Sequence, residues 1–437
     1  MSESFEIHKF GGSCLRDARD LDRIADVLSH SPNQTVVVVS ALWGTTDRLM
    51  RAAKEPRYAA RLTKDLASQH LRFTPNLVDS PLFDVFQRVL DGIEDALEVL
   101  ATEEKNDIAY NQLLASGERL SALVVAFSLQ ERGLDAHPVG SEDIGLCLNG
   151  TITATTVDLE KSARLLDRTA LYGTPVVTGW FGQGRDGNIA LLGRGGSDHT
   201  ASAIGSLLDA ERIVLWKDVL GIYPVNPRWG IECTPITYLG YAEAMEFARL
   251  DAPIIHPATV EPVYFSGIPI EIRHLYSYEQ TELKTVIGPD IQEISVIKGV
   301  ACIPKVACIN VKTMYIHDSA NALNEVLTEF RDEGLRICCF ESTQHSMRFI
   351  LPQHEVNKAV QCLKARFTEV SHTYAAAMVS LIGTNVEVIP SEIIESFEWS
   401  DTSFAKSTNA IHLLTQRTDT SRMLEELVQT LNVTNNI

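Results

Sequence analysis

The chain has 437 residues, 45% apolar and 22% charged, an ordinary globular composition with room for two or three domains. A formal charge of −19 with no offsetting basic stripe argues against nucleic acid or an anionic membrane surface as partner. The opening MSESFEIHKFGG has no basic segment followed by an apolar one, and no run of about 18 apolar residues occurs. The eight cysteines include the adjacent pair Cys338 and Cys339 but no Cys-x-x-Cys spacing, so reduced thiols and a cytoplasmic location are expected.

In chain order, FEIHKF (5–10) reads as a strand and DLDRIADVLSH (20–30) as a helix with apolar positions at 21, 24, 25 and 28. QTVVVVSA (34–41) is an apolar run almost without alternation, as buried parallel strands usually are. Similar strands are expected at 174–181, 211–219 and 268–274, with a helix at 117–133 closed by Gly133. The pattern is that of an α/β layer fold with a mostly parallel sheet sandwiched by helices. Beyond about residue 290 the texture changes to two related α+β units. Strands at 306–314, 336–342 and 346–352 flank helices at 319–333 and 355–366. A second set follows: a strand at 375–383, a helix near 390–398, a strand at 410–416 and a helix at 420–431.

One motif misleads. GQGRDG (182–187) matches Gly-x-Gly-x-x-Gly, but a strand-like NIALLG follows where a dinucleotide site needs a helix. The stretch reads as a hairpin turning at Asp186-Gly187. KFGGSCL (9–15) is more informative, because a strand ends in Lys9 and runs into Gly11, Gly12 and Ser13. Adjacent glycines let backbone amides approach a phosphate, and the lysine supplies charge. VVVVSALWGTTDRL (36–49) repeats the arrangement with Ser40, Gly44 and Thr46, although Thr45, Thr46 and Asp47 could equally cap a helix. In GRGGSDHTASA (193–203), Gly195 and Gly196 can form a nest of amides between Arg194 and Asp198, and Ser197 or Asp198 can start a helix. WKDVLGIYPVNPR (216–228) adds Lys217, Asp218, Tyr223 and Arg228 after another strand. Four such loops at strand ends converge on a polyphosphate site.

These stretches, together with LLASGERLSA (113–122) and IIHPATVEP (254–262), resemble the aspartate kinases of the amino-acid kinase superfamily, in the same order and over residues 5–275. The last third resembles, more loosely, that family's paired ACT domains. The implied division is a catalytic domain over 1–290 and a regulatory pair over 291–437. One ACT unit would span roughly 304–373, the other roughly 374–437 with a strand near 294–302. A fused homoserine dehydrogenase module, found in some relatives, is not expected in 437 residues.

The resemblance implies phosphorylation of the side-chain carboxylate of L-aspartate by ATP, with Mg2+ carried by the nucleotide. By the same resemblance Lys9 would neutralise the transferring phosphoryl group, with Gly11, Gly12, Ser13, Gly195 and Gly196 around phosphate oxygens. Arg194 would clamp a substrate carboxylate, Glu118 would hold the ammonium, and Ser40 and Thr46 would add hydrogen bonds. Glu118 could otherwise simply favour a helix N-terminus. Asp198 would orient Lys9, and Lys217, Asp218, Tyr223 and Arg228 would line the nucleotide site. The family usually has Thr at position 217 and Lys at 253, where this chain has Lys217 and Pro253; Lys217 is expected to replace the lost charge. The Gly-Phe pair usual at the first ACT helix is replaced by HDSANALNEVL (317–327). An amino-acid effector and a homodimer are implied. The alternatives are a kinase of another small acidic amino acid, and a non-catalytic ACT-based ligand sensor.

Overall fold

The structure is a computed structural model. It describes residues 4–31, 34–103, 105–250, 254–280, 282–291, 296–312, 319–343, 345–386, 397, 399–401 and 407–431. The chain forms two compact units, Met1–Gly221 with Thr237–Tyr241 and Ile255–Pro289, and Ile222–Ile236 with Ala242–Ile254 and Asp290–Ile437.

In chain order the first part contains β1 (Phe5–Phe10), α1 (Ala18–Ser29), β2 (Gln34–Val39), α2 (Thr45–Ala52), α3 (Pro56–Phe73), α4 (Leu82–Thr102) and α5 (Asp107–Glu131). Then come β3 (Ala136–Val139), β4 (Thr153–Ala154), α6 (Leu159–Leu165), β5 (Thr174–Thr178), β6 (Phe181–Gln183) and β7 (Ile189–Leu192). They are followed by α7 (Gly196–Leu208), β8 (Arg212–Lys217), β9 (Tyr238–Gly240), α8 (Tyr241–Arg249), α9 (Pro257–Val260), β10 (Ile270–His274) and β11 (Lys284–Gly288). From Ala242 onward α8 belongs to the second unit.

The main sheet has the order β3-β5-β2-β1-β8-β10-β11-β9. Its central strands are parallel, and only β10 and β11 pair antiparallel. After their first residues β1 and β2 are buried throughout, which explains the apolar runs read without alternation. β1 has β2 on one side and β8 on the other, so the chain leaves it in opposite directions and opens a crevice at its carboxyl end.

The expected helix at 117–133 starts earlier, at Asp107, where the Asn106 side chain caps the amide of Ala109. Polar residues in its first turns hide that start from a periodicity reading. Gly133 follows the end of the helix in the left-handed region, at φ +84°, as a terminating glycine should. The apolar run read as one strand over 174–181 divides into β5 and β6. Phe181–Gln183 and Ile189–Leu192 form the expected hairpin, with Gly187 at φ +86°, and no helix follows the GQGRDG stretch.

The second unit carries β12 (Val296–Lys312), α10 (Ser319–Asp332), β13 (Cys339–Ser342), β14 (Ser346–Pro352), α11 (Val356–Lys364), β15 (Glu369–Thr384), β16 (Trp399–Asp401), β17 (Ala410–Thr415) and a helix over Thr420–Thr430. These strands make one antiparallel sheet in the order β13-β14-β12-β15-β17-β16. The two α+β halves share it, because β12 and β15 each run through both. Each half keeps its own core, one around Phe330, Phe349 and Leu363, the other around Val379, Leu413 and Leu427. The helix expected near 390–398 falls almost entirely outside the described residues. Among the described residues no helix is long and apolar enough to cross a membrane.

Helix α7 lies close on the main sheet because Gly205 has no side chain. A Cβ there would stand 2.8 Å from two atoms of Ile213 and 3.5 Å from Ile7. Gly205→Leu should therefore overpack this contact and lower stability by about 1–3 kcal/mol, read as a drop in the urea midpoint.

Candidate active site

The crevice at the carboxyl end of β1 is assembled from the loops that follow β1, β2, β7 and β8. Lys9 is the penultimate residue of β1, in register with Val38 of β2 and Leu215 of β8. The chain then makes a single 3-10 turn over Gly12–Cys14, with the Cys14 amide donating to Gly11 O at 2.8 Å. A Cβ on Gly12 would sit 3.1 Å from the Ala41 carbonyl, and one on Gly11 would sit 3.2 Å from Lys9 Nζ. Side chains here would therefore crowd the lysine and the loop after β2. That second loop carries Ser40, whose amide donates to Phe10 O at 3.1 Å. Gly44 at φ +77° turns the chain into α2, whose first turn holds Thr46, so no side chain caps that helix.

The entry to α7 follows the same logic. Gly195 at φ +71° precedes a helix that begins at Gly196, two or three residues earlier than a cap at Ser197 or Asp198 would give. Asp198 therefore sits inside the first turn. Its carboxylate does not cap the helix; it is held between two lysines. Lys9 Nζ stands 2.5 Å from Oδ1, and Lys217 Nζ donates to Oδ2 at 2.6 Å. Lys9 and Asp198 are buried, and Lys217 reaches the pair from the end of β8. Beside them Ser40 Oγ donates to Ser197 Oγ at 2.9 Å.

Burial pushes the Asp198 carboxyl up, but the charges of Lys217 and then Lys9 outweigh it and hold the group well below the carboxylate range. Asp198 is thus a fixed anion. Burial lowers the Lys9 ammonium, and the Asp198 charge offsets part of that shift. With both lysines charged, the cluster carries two positive charges against one negative. It sits at the N-terminus of α7, whose free amides add further positive potential. Such a place attracts an anion.

Glu118 enters from α5. Its Oε1 accepts from the Ala41 amide at 3.1 Å, while its buried Oε2 has no hydrogen-bond partner among the described residues. Burial raises the carboxyl to about 8. A cation beside Oε2 would restore its ionised form.

Arg194 is exposed at the turn into α7 and makes no ion pair with a carboxylate of the described residues. Asp218, next to Lys217, is paired with Arg16 at 2.8 Å. The Arg16 guanidinium also lies 4.7 Å over the Trp43 ring. Tyr223 and Arg228 fall in the second unit, and Pro253 lies outside the described residues. The sequence reading overlooked Arg16 and Trp43, although Arg16 follows the glycine pair by only four residues. It also overlooked Trp180, which holds a left-handed φ of +74° and donates its indole N–H to Leu192 O at 2.7 Å.

Residues 5–274 match the amino acid kinase family. The chain is 26% identical over 403 residues to the chloroplastic bifunctional aspartokinase/homoserine dehydrogenase 2 of Arabidopsis thaliana, covering 87% of this chain and 44% of that one. It is 26% identical over 405 residues to chloroplastic aspartokinase 1 of the same plant, covering 86% and 70%. The crystal structure of E. coli aspartokinase III with aspartate and ADP shares the fold, with a TM-score of 0.79 at 22% identity over 98% of this chain and 100% of that one. The chain spans less than half the length of the bifunctional relatives it matches.

The Glu118 site has a measurable signature. Its carboxyl titrates at about 8 when folded, above the ordinary value of 4.5, so the folded state holds the extra proton between those limits. Its contribution to stability is complete below the ordinary value and is lost as pH rises through the folded one. Glu118→Gln should remove this loss, so that the urea midpoint of the variant falls less between pH 5 and pH 8 than that of the parent chain.

Proposed function

This chain belongs to the amino acid kinase family, and on that premise we propose that it transfers the γ-phosphoryl group of ATP to the side-chain carboxylate of L-aspartate, yielding 4-phospho-L-aspartate. The observation that carries the reading is the Asp198 carboxylate clamped by Lys9 and Lys217 beside the glycine turn. The acceptor carboxylate is already ionised at neutral pH, so the reaction needs no general base. Its difficulty is bringing one anion up to another, which makes fixed positive charge and positioning the main catalytic contributions. Asp198 fits that demand as a holder of lysines and not as a proton acceptor.

In this reading Lys9 neutralises the transferring phosphoryl group, and the amides of Gly11, Gly12, Ser13 and Gly195 meet phosphate oxygens, while Gly196, whose amide donates to Gly193 O at 3.1 Å, leaves room for their close approach. Arg194, with its free guanidinium fork, takes the α-carboxylate of aspartate. Glu118 takes the ammonium on its unpartnered Oε2, which favours a free amine over an N-acylated substrate. Ser40 and Thr46 add hydrogen bonds. Asp218, Tyr223 and Arg228 are assigned to the nucleotide, the last two on the sequence resemblance alone. Mg2+ accompanies the nucleotide phosphates. Lys217 supplies the second ammonium that Pro253 cannot, reaching the site from β8. The α+β halves of the second unit are read as an ACT pair that binds an amino-acid effector and joins two chains into a homodimer. The eight cysteines, with no Cys-x-x-Cys spacing, are read as the thiols of a reducing, cytoplasmic setting.

The test is ADP release from MgATP with hydroxylamine trapping of the acyl phosphate. Hydroxamate should form with L-aspartate and not with L-glutamate or N-acetyl-L-glutamate; hydroxamate from either competitor alone would replace the substrate assignment. Lys9→Ala should lower kcat by about 100- to 1,000-fold, the usual effect of deleting one charge-stabilising donor. Lys217→Thr should raise KM for ATP about tenfold or more, the equivalent of one lost charge-assisted contact, while KM for aspartate changes little.

A further inference from the structure

The second unit carries a half-open cavity of about 460 Å³. One side is helix α8, which presents Glu246 and Arg249, with Leu250 just after it; Ile337, Cys339 and His412 line other parts of the wall. The space is ample for a small metabolite.

Its charges are poorly matched to each other. The Glu246 carboxylate is only 19% exposed, and its nearest cation is Arg249 Nη1 at 3.9 Å, beyond hydrogen-bond reach. Burial raises the Glu246 carboxyl despite that neighbour. Arg249 is 62% exposed, and among the described residues Glu246 is its one ion-pair partner. One turn of helix thus offers a desolvated carboxylate and a free guanidinium side by side, each without a hydrogen-bonded partner among the described residues. The remaining walls are neutral. His412 is locked by Ser380 at 2.8 Å and lowered to about 4 by burial, so it is uncharged at neutral pH. Cys339 is pushed up to about 12 by burial, and the Glu246 charge adds to the shift, so it stays a thiol.

We propose that this cavity is an effector site for a small α-amino acid with an apolar side chain, whose ammonium is held by Glu246 and whose carboxylate is held by Arg249. The pairing satisfies both charged groups, and Leu250, Ile337 and Cys339 offer the side chain an apolar wall. Glu246 is the one carboxylate lining the cavity among the described residues. With the α-ammonium on Glu246, the terminal ammonium of lysine would find no partner. This inference rests on the effector reading of the second unit and narrows it to a place and a ligand class.

The experiment is isothermal calorimetry on the full chain, without ATP or aspartate, using L-valine, L-leucine, L-isoleucine, L-methionine and L-lysine. At least one of the first four should bind saturably and more tightly than lysine. Glu246→Gln and Arg249→Gln should each weaken it about tenfold or more, the loss of one charge-assisted contact. Arg249→Gln alters an exposed group and keeps the test usable if Glu246→Gln fails to fold. Binding by none of the four, tighter binding of lysine, or wild-type affinity in a folded variant would overturn the proposal. Because the readout is heat and not turnover, an inactive chain that still binds leaves this site standing and removes the kinase reading. An active chain that binds none of the four does the reverse.

Discussion

One carboxylate holds the first unit's chemistry together. Asp198 comes from the first turn of α7, and its two oxygens meet ammonium groups from two adjacent strands, β1 and β8. The contact is possible only where parallel strands end side by side and a helix starts directly above them. It also needs the close backbone approaches that Gly195, Gly196 and Gly205 permit. Burial makes the arrangement demanding. A lone charge there would be costly, so removing Asp198 leaves two ammonium groups facing each other uncompensated, whereas removing either lysine leaves a matched pair. The local fold and the local electrostatics therefore constrain each other.

The same cluster gives an acidic protein a crevice of opposite local character. The net charge of −19 is spread over the whole chain, whereas the crevice concentrates two lysines around one aspartate. With both ammonium groups charged, the surplus positive charge would sit where low surrounding polarity strengthens it. Glu118 provides the opposite character on the same crevice, a carboxyl that burial pushes up to about 8. In the proposed reaction the amino acid's ammonium partner and carboxylate partner come from different elements, Glu118 from α5 and Arg194 from the entry to α7. Asp218 is balanced differently, through Arg16 and the Trp43 ring above it. That pair links the turn after β1 to the end of β8 a second time.

What the sequence discloses follows from how local each feature is. Lys9 and Asp198 stand beside paired glycines, and backbone turns of that kind are written in a few adjacent residues. The central strands are legible because both faces are covered, which leaves runs such as VVVV with no alternation. The meeting of Lys217 with Asp198 is not legible in the same way. It depends on β8 returning to the side of β1 opposite β2, a placement fixed by crossovers and not by neighbours in sequence. The Arg16–Asp218 pair is hidden for the same reason, since 202 positions separate its members. In the second unit the strands and helices are visible as short apolar runs. Their merger into two long shared strands is not, because β12 continues through Pro304 and Lys305, where a sequence reading expects a break. The left-handed φ of +54° at Lys305 marks that irregularity without ending the strand.

The proposed activity depends on Asp198 acting as an anchor for two lysines. The direct measurement is steady-state kinetics of Asp198→Asn with MgATP and L-aspartate, on protein whose folding is checked by circular dichroism. The variant keeps the shape of the side chain and removes its charge. A fall in kcat of about 100- to 1,000-fold, with KM for aspartate nearly unchanged, is the predicted result. A folded variant that turns over at the wild-type rate would contradict it.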